Sequence, residues 1–294
     1  MLGRVSLAFF FSFFLMGCFA FPADASSTST SAFDPDAYGL SGAYAMDPHT
    51  QKELYAWNEN KIWPVASLTK IVSALVWQGR DIPWKTPITL RAQDEVGGGR
   101  LRVPVGTRVS FEDLWYASIT ASANNAAMAL ARALGVSSKT FIGLMNKKVL
   151  AFKTEHTVFV DASGMNPKNV STPREMAKIA RAAFTFRPLQ KAASTTTYGV
   201  RVITPNPHTR PIKTTNTLLA HDPDVWVIAG KTGYLEESEH NLVVWMRPVG
   251  VDGTPEKGKD VLIVVFGADT KEQMFASAKH LAHSLWTSHA ISRP

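Results

Sequence analysis

The 294 residues carry 45% hydrophobic and 19% charged side chains, enough apolar material for a full core and too little charge for a disordered or fibrous chain. A formal net charge of +7 favours anionic surfaces: nucleic acid, anionic lipid or a carboxylate-rich cell wall. The basic residues are scattered and not interleaved with aromatics, so no nucleic acid partner is expected.

Arg4 precedes an apolar run from Val5 to Leu15, about the length of a signal-peptide core and short of the roughly 20 residues that span a bilayer. Residues 1–25 therefore read as an export signal. Ala23-Asp24-Ala25 offers a cleavage site. Leu15-Met16-Gly17-Cys18 resembles a lipoprotein box that would make Cys18 a membrane tether, although Met16 is unusual there. Both routes stay open. Cys18 is the only cysteine, so no intramolecular disulfide is expected.

Residues 26–37 include the Ser/Thr/Ala run Ser26 to Ala32, which cannot bury surface and reads as a flexible linker. One globular domain is expected over 38–290. Two strands, Gly42 to Asp47 and Glu53 to Asn58, look like a hairpin turning at Pro48, His49 and Thr50. Leu68, Ile71, Val72, Leu75 and Val76 recur at helical spacing, predicting a helix from Ser67 to Trp77. Helices follow over Phe111 to Leu134, around Thr140 to Leu150, and over Thr172 to Phe184. Apolar, β-branched strands then run over Val225 to Ala229, Asn241 to Met246 and Val261 to Ala268, before a last helix from Lys271 to about Trp286. The expected fold class is α+β: an antiparallel sheet built from both ends of the chain, flanked by helices, with an all-helical region inserted.

Ser67-Leu68-Thr69-Lys70 sets a hydroxyl and an amine three residues apart at a helix start, on one face. A serine hydroxyl is a poor nucleophile at neutral pH; a lysine whose charge is disfavoured by burial or a nearby cation can take its proton. One S-x-x-K is weak evidence, since a helix cap followed by a surface lysine gives the same letters. Ser122-Ala123-Asn124 and Lys231-Thr232-Gly233 follow in order, the last directly after an apolar run. That ordered set is the one found in class A β-lactamases and penicillin-binding proteins.

On these motifs, and on Val65 to Ile71, Val158 to Gly164 and Asn169 to Thr172, the chain resembles the low-molecular-weight penicillin-binding proteins of the D-alanyl-D-alanine carboxypeptidase and endopeptidase family. With the chain ending at Pro294, the compact endopeptidase-type members are the expected match; larger carboxypeptidases continue into a second β-rich domain and a membrane helix. The resemblance implies a serine D,D-peptidase acting on peptidoglycan peptides and acylated by β-lactam antibiotics, working without cofactor or metal. Ser67 would be the nucleophile, Lys70 its base, and Ser122 the proton carrier to the leaving amine. Asn124 would bond the substrate backbone and hold Lys70, Lys231 and Thr232 would take a carboxylate, Gly233 would leave room, and the backbone N–H groups of Ser67 and Tyr234 would form the oxyanion hole.

Asn125, where many carboxypeptidases carry Asp, and the acidic turn Glu236-Glu237-Ser238-Glu239-His240 depart from the family pattern. The turn either shifts preference among stem peptides or is a solvated loop, and the solvated loop is the commoner meaning. Three other functions compete. A β-lactamase-like hydrolase would need an E-x-x-x-N loop, but Glu155 and Glu175 are each followed four residues on by apolar side chains. A zinc peptidase would need H-E-x-x-H, and His280 with His283 reads as surface decoration on a helix that turns Met274, Ala278, Leu281 and Leu285 inward. An inactive wall-binding scaffold would use Ser67 as a mere helix cap.

Overall fold

A computed structural model describes residues 32–79 and 81–288; the expected export signal, Cys18 and the first half of the linker lie outside the described residues. In chain order, strands β1 (Gly42–Met46), β2 (Glu53–Trp57) and β3 (Trp63–Pro64) precede helix α1 (Thr69–Gln78). Short strands β4 (Pro87–Thr89) and β5 (Arg108–Ser110) lead to helices α2 (Phe111–Ile119), α3 (Asn124–Ala133) and α4 (Ser138–Leu150). Strand β6 (Val170–Ser171), helices α5 (Pro173–Phe184) and α6 (Arg187–Ala193), the hairpin β7 (Thr197–Thr204) with β8 (His208–Lys213), and helix α7 (Thr217–His221) complete the middle. The chain returns through β9 (Val225–Leu235), β10 (Glu239–Pro248) and β11 (Val261–Ala268) to helix α8 (Lys271–Thr287).

Five antiparallel strands form one sheet in the order β2-β1-β11-β10-β9, joining both chain ends as the sequence predicts. The periodicity of two explains why β11 reads as an unbroken apolar run. Leu262, Val264 and Phe266 pack toward the helical region, while Val261, Ile263 and Val265 pack toward α8 on the opposite face. The β1–β2 turn is fixed by Asp47, whose Oδ1 accepts from the backbone N–H of His49 (2.8 Å) and Thr50 (3.2 Å). Helix starts carry the expected side-chain caps: Ser110, Ser137, Thr172 and Thr270 each accept from a backbone N–H three residues on.

The structure corrects three expectations. Phe111 to Leu134 is two helices, broken at 120–123, where Ser122 adopts φ 58°. The inserted region is not all helical, since β4-β5-β7-β8 form a second antiparallel sheet. Two of these strands are only three residues long, and β7 and β8 contain Gly199 and Pro211, so neither periodicity nor composition marks them. His280 is not mere decoration, because its ring packs edge-on against Phe33 and its Nδ1 lies 2.9 Å from the Tyr38 hydroxyl.

Candidate active site

Helix α1 is buried from Thr69 to Trp77. Its first turn therefore carries Lys70 into the interior at 0% exposure, while Ser67 sits just before it in a short 3-10 turn, Ala66–Leu68. Neither turn uses a side chain as its cap. The Ser67 Oγ instead accepts a hydrogen bond from Lys70 Nζ at 2.7 Å. The same Nζ donates to Asn124 Oδ1 at 2.6 Å and to the Ser163 carbonyl at 2.5 Å. Three oxygen acceptors hold the amine in place, and among the described residues none is a carboxylate. Burial pushes the Lys70 amine well below its usual range; the Lys231 charge lowers it further and Asp161 opposes.

The break between α2 and α3 brings in the second motif. Ser122 faces β9, where Lys231 Nζ donates to its Oγ at 2.7 Å and to the Thr232 carbonyl at 2.9 Å. Asn124 begins α3, and its backbone N–H donates to Gly99 O at 2.6 Å. Its Nδ2 donates to Gly97 O at 2.8 Å. Asn125 turns away from the cleft, accepting from Leu101 N–H and donating to Glu95 and Leu101 O. That departure from the family pattern shapes the glycine loop 97–99 and not the reacting centre.

Strand β9 is the edge of the large sheet, and Gly233 lets it touch the turn that carries Ser67. A Cβ there would meet Val65 O at 2.8 Å and Ser67 N at 3.2 Å. The backbones of Ser67 and the 233–234 segment thus adjoin. Ala66 (φ 46°) and Ser122 (φ 58°) are both non-glycine residues in the left-handed region, so the backbone is strained beside each of the two hydroxyls. Ser67, Ser122, Asn124, Thr232, Gly233 and Tyr234 line one cleft of about 510 Å³. Lys70 and Lys231 lie beneath its floor, each at most 1% exposed.

Several residues of this site were not named as functional from the sequence. Ser163 supplies Lys70's third acceptor, and Asp161 holds the loop that positions it, accepting from Ser163 N (2.7 Å), Gly164 N (2.6 Å), Asn166 N (2.7 Å) and Asn169 Nδ2 (3.1 Å). Gly164 lies so close to the turn that carries Ser67 that a Cβ would fall 2.0 Å from Ala66 O. Their segment is legible only through its family likeness. Thr215, whose Oγ1 lies 2.6 Å from that of Thr232, has no sequence signal.

Burial pushes the Lys231 amine down to about 7. In the unfolded chain it would titrate near 10.5. Between these two values the folded state binds fewer protons, so this group makes wild-type stability rise with pH across that window and imposes its full penalty below about 7. Lys231→Met is expected to raise Tm at pH 6 by on the order of 5 °C, with the gain shrinking at pH 9. Calorimetry at the two pH values measures this, and a pH-independent Tm difference would contradict it.

A lysine whose charge is disfavoured by burial beside a serine, with a second lysine near it and a sheet edge able to align a peptide, defines a serine acyl-transfer enzyme of the penicillin-binding class. The sequence model of the D-alanyl-D-alanine carboxypeptidases matches residues 30–270, and the chain belongs to that family. It is 30% identical to a D-alanyl-D-alanine endopeptidase of Pseudomonas aeruginosa over 91% of this chain and 86% of that protein. It is also 30% identical to one of Escherichia coli over 99% and 91%. The crystal structure of the Streptomyces K15 DD-transpeptidase superimposes with a TM-score of 0.76 at 25% identity, covering 85% of this chain and 97% of that one. The protein is a serine-type D,D-peptidase of peptidoglycan, with an α+β penicillin-binding fold.

Proposed function

We propose that this peptidase is a D,D-endopeptidase, cutting D-alanyl cross-links between stem peptides through an acyl-enzyme on Ser67. One observation carries the residue roles: the side chains of three distant motifs meet in two hydrogen-bonded pairs, Ser67 with Lys70 and Ser122 with Lys231, at one cleft. The peptide lies along the β9 edge, its scissile carbonyl oxygen between the N–H groups of Ser67 and Tyr234. Lys70 takes the Ser67 proton as Oγ attacks the carbonyl carbon, and Ser122, backed by Lys231, passes a proton to the leaving amine as the C–N bond breaks. Water then hydrolyses the ester. Thr232, held by Thr215, and Lys231 receive the carboxylate next to the leaving amine. β-Lactams would acylate Ser67 by the same route.

Carboxypeptidase and endopeptidase reactions share this chemistry and differ only in the leaving group beyond the scissile carbonyl. The names of the Pseudomonas and Escherichia relatives, together with their coverage of this chain, favour cleavage of cross-links. Purified muropeptide dimers are expected to fall to monomers in a chromatographic assay; trimming of monomeric pentapeptides with dimers left intact would overturn this reading. Residues 38–290 would form the working domain, exported by residues 1–25 and spaced from them by 26–37. The intact mass of envelope-extracted protein distinguishes cleavage after Ala25 from lipid attached at Cys18.

A further inference from the structure

Beyond the reacting centre the cleft continues along β9 into the acidic turn. Thr232 and Tyr234, two apart on β9, share a face on the cleft side, and Glu236, the first residue of the turn beyond Leu235, lines the cleft with them. Two residues on from Tyr234, Glu236 lies at most about 7 Å beyond it along the chain. Buried Ser238 fixes the turn: its Oγ accepts from Leu235 N–H at 3.0 Å and donates to Glu239 O at 3.0 Å, and its carbonyl accepts from the Trp63 indole at 2.9 Å. The Tyr234 ring is held against that of His240, centroids 4.5 Å apart and 30° between planes, which leaves it 54% exposed as a platform in the cleft.

Lys271, the first residue of α8, lines the same end of the cleft. Among the described residues, neither Glu236 nor Lys271 has a hydrogen-bond or ion-pair partner, and they do not pair with each other. Glu236 is also the one carboxylate among the described residues of the cleft. A cleft that ends in an unpaired anion, an unpaired cation and an aromatic face complements a group of both charges on an apolar stem.

We propose that Glu236 and Lys271 form a subsite for a zwitterionic amino-acid end, ammonium and carboxylate on one carbon, carried by the side chain of the stem residue that precedes the scissile D-alanine. The proposal rests on the peptidase reading above and specifies its substrate. Direction decides which residue reaches the subsite. The leaving group occupies the Lys231–Thr232 end, so the part past Tyr234 belongs to the acyl half, and about 7 Å is the reach of a diamino acid's side chain. Glu236 takes the ammonium, Lys271 takes the carboxylate, and the methylene stem lies on Tyr234. Stem peptides whose free amine is already consumed in another cross-link lose the first of these contacts.

The test uses three acyl-X-D-Ala-D-Ala peptides in which X ends in a free amino-acid group, an amine (lysine) or a neutral amide (Nε-acetyl-lysine). The kcat/KM is expected to fall in that order, by about tenfold from first to last, as two partly exposed charge contacts allow. Glu236→Gln should bring the lysine-to-acetyl-lysine ratio to about one; Lys271→Met should do the same to the zwitterion-to-lysine ratio. Wild-type rates within about twofold of one another, or ratios that survive both substitutions, overturn the subsite. Benzylpenicillin, which lacks the side chain, is run on the same preparations. An adduct accompanied by flat peptide ratios removes the subsite alone, whereas no adduct and no hydrolysis remove it together with the peptidase reading.

Discussion

Ser67→Ala is expected to abolish the covalent benzylpenicillin adduct that mass spectrometry should find on the wild type, and to lower kcat/KM on D-alanyl peptides by about 10⁴-fold or more. The fold should survive the change. Lys70 loses one acceptor but keeps Asn124 Oδ1 and the Ser163 carbonyl, so no buried donor is orphaned. A wild type that never takes the adduct would instead leave an inactive wall-binding scaffold as the better account. Release of the adduct should be slow, with nitrocefin giving a burst and little turnover. The two glutamates that might have driven deacylation do not line the cleft. The Glu175 carboxylate is engaged by the backbone N–H groups of Glu155 and His156 and by the Thr157 hydroxyl. Rapid nitrocefin hydrolysis would contradict this.

Lys70→Met and Lys70→Arg are expected to be equally inactive, each losing about 10³-fold or more in the acylation rate. The arginine variant separates two roles for the amine. A guanidinium keeps the positive charge but cannot give up a proton at accessible pH, so it can serve electrostatics and not base catalysis. An arginine variant retaining a tenth of wild-type activity would show that charge is what matters, and would sink the base assignment. The same base role gives the rate a pH dependence of definite sign. The depressed Lys70 amine is unprotonated and competent above its pKa and becomes protonated as pH falls, so the acylation rate should decline on the acid side. The Lys231 charge lowers the Lys70 pKa; Lys231→Met removes that repulsion, lets the Lys70 pKa rise, and should move the acid limb to higher pH. An acid limb that stays in place or moves down in Lys231→Met would contradict the coupling.

Much of the site can be read in the chain because its chemistry depends on local spacing. Ser67 and Lys70 are one helical turn apart, and any helix beginning there sets them on one face. Lys231-Thr232-Gly233 continues an apolar strand, and the strand's pleat gives these residues alternate directions. The break between α2 and α3 is of another kind. Residues 111–134 carry helix-compatible spacing throughout, but Ser122 takes a left-handed backbone that no periodicity announces, and that break aims its hydroxyl at β9. The four-stranded second sheet stays hidden because short strands carrying Gly199 and Pro211 draw their stability from partners distant in sequence and not from their own composition.

The sequence by itself determined the strands of the large sheet, most of the helices, their core faces and the candidate reacting groups, because these depend on side-chain chemistry and on periods of two and 3.6 residues. Tertiary structure alone decided the electrostatics. Two lysines that would be ordinary cations in an extended chain have their charge disfavoured only by burial in the folded protein. A backbone carbonyl at Ser163, a hydroxyl at Thr215 and an unpaired Glu236–Lys271 couple acquire meaning only from the groups across the cleft. Spacing along the chain sets which atoms can be neighbours within one element; desolvation and cross-cleft contact depend on distances between elements, and those exist only in the folded molecule.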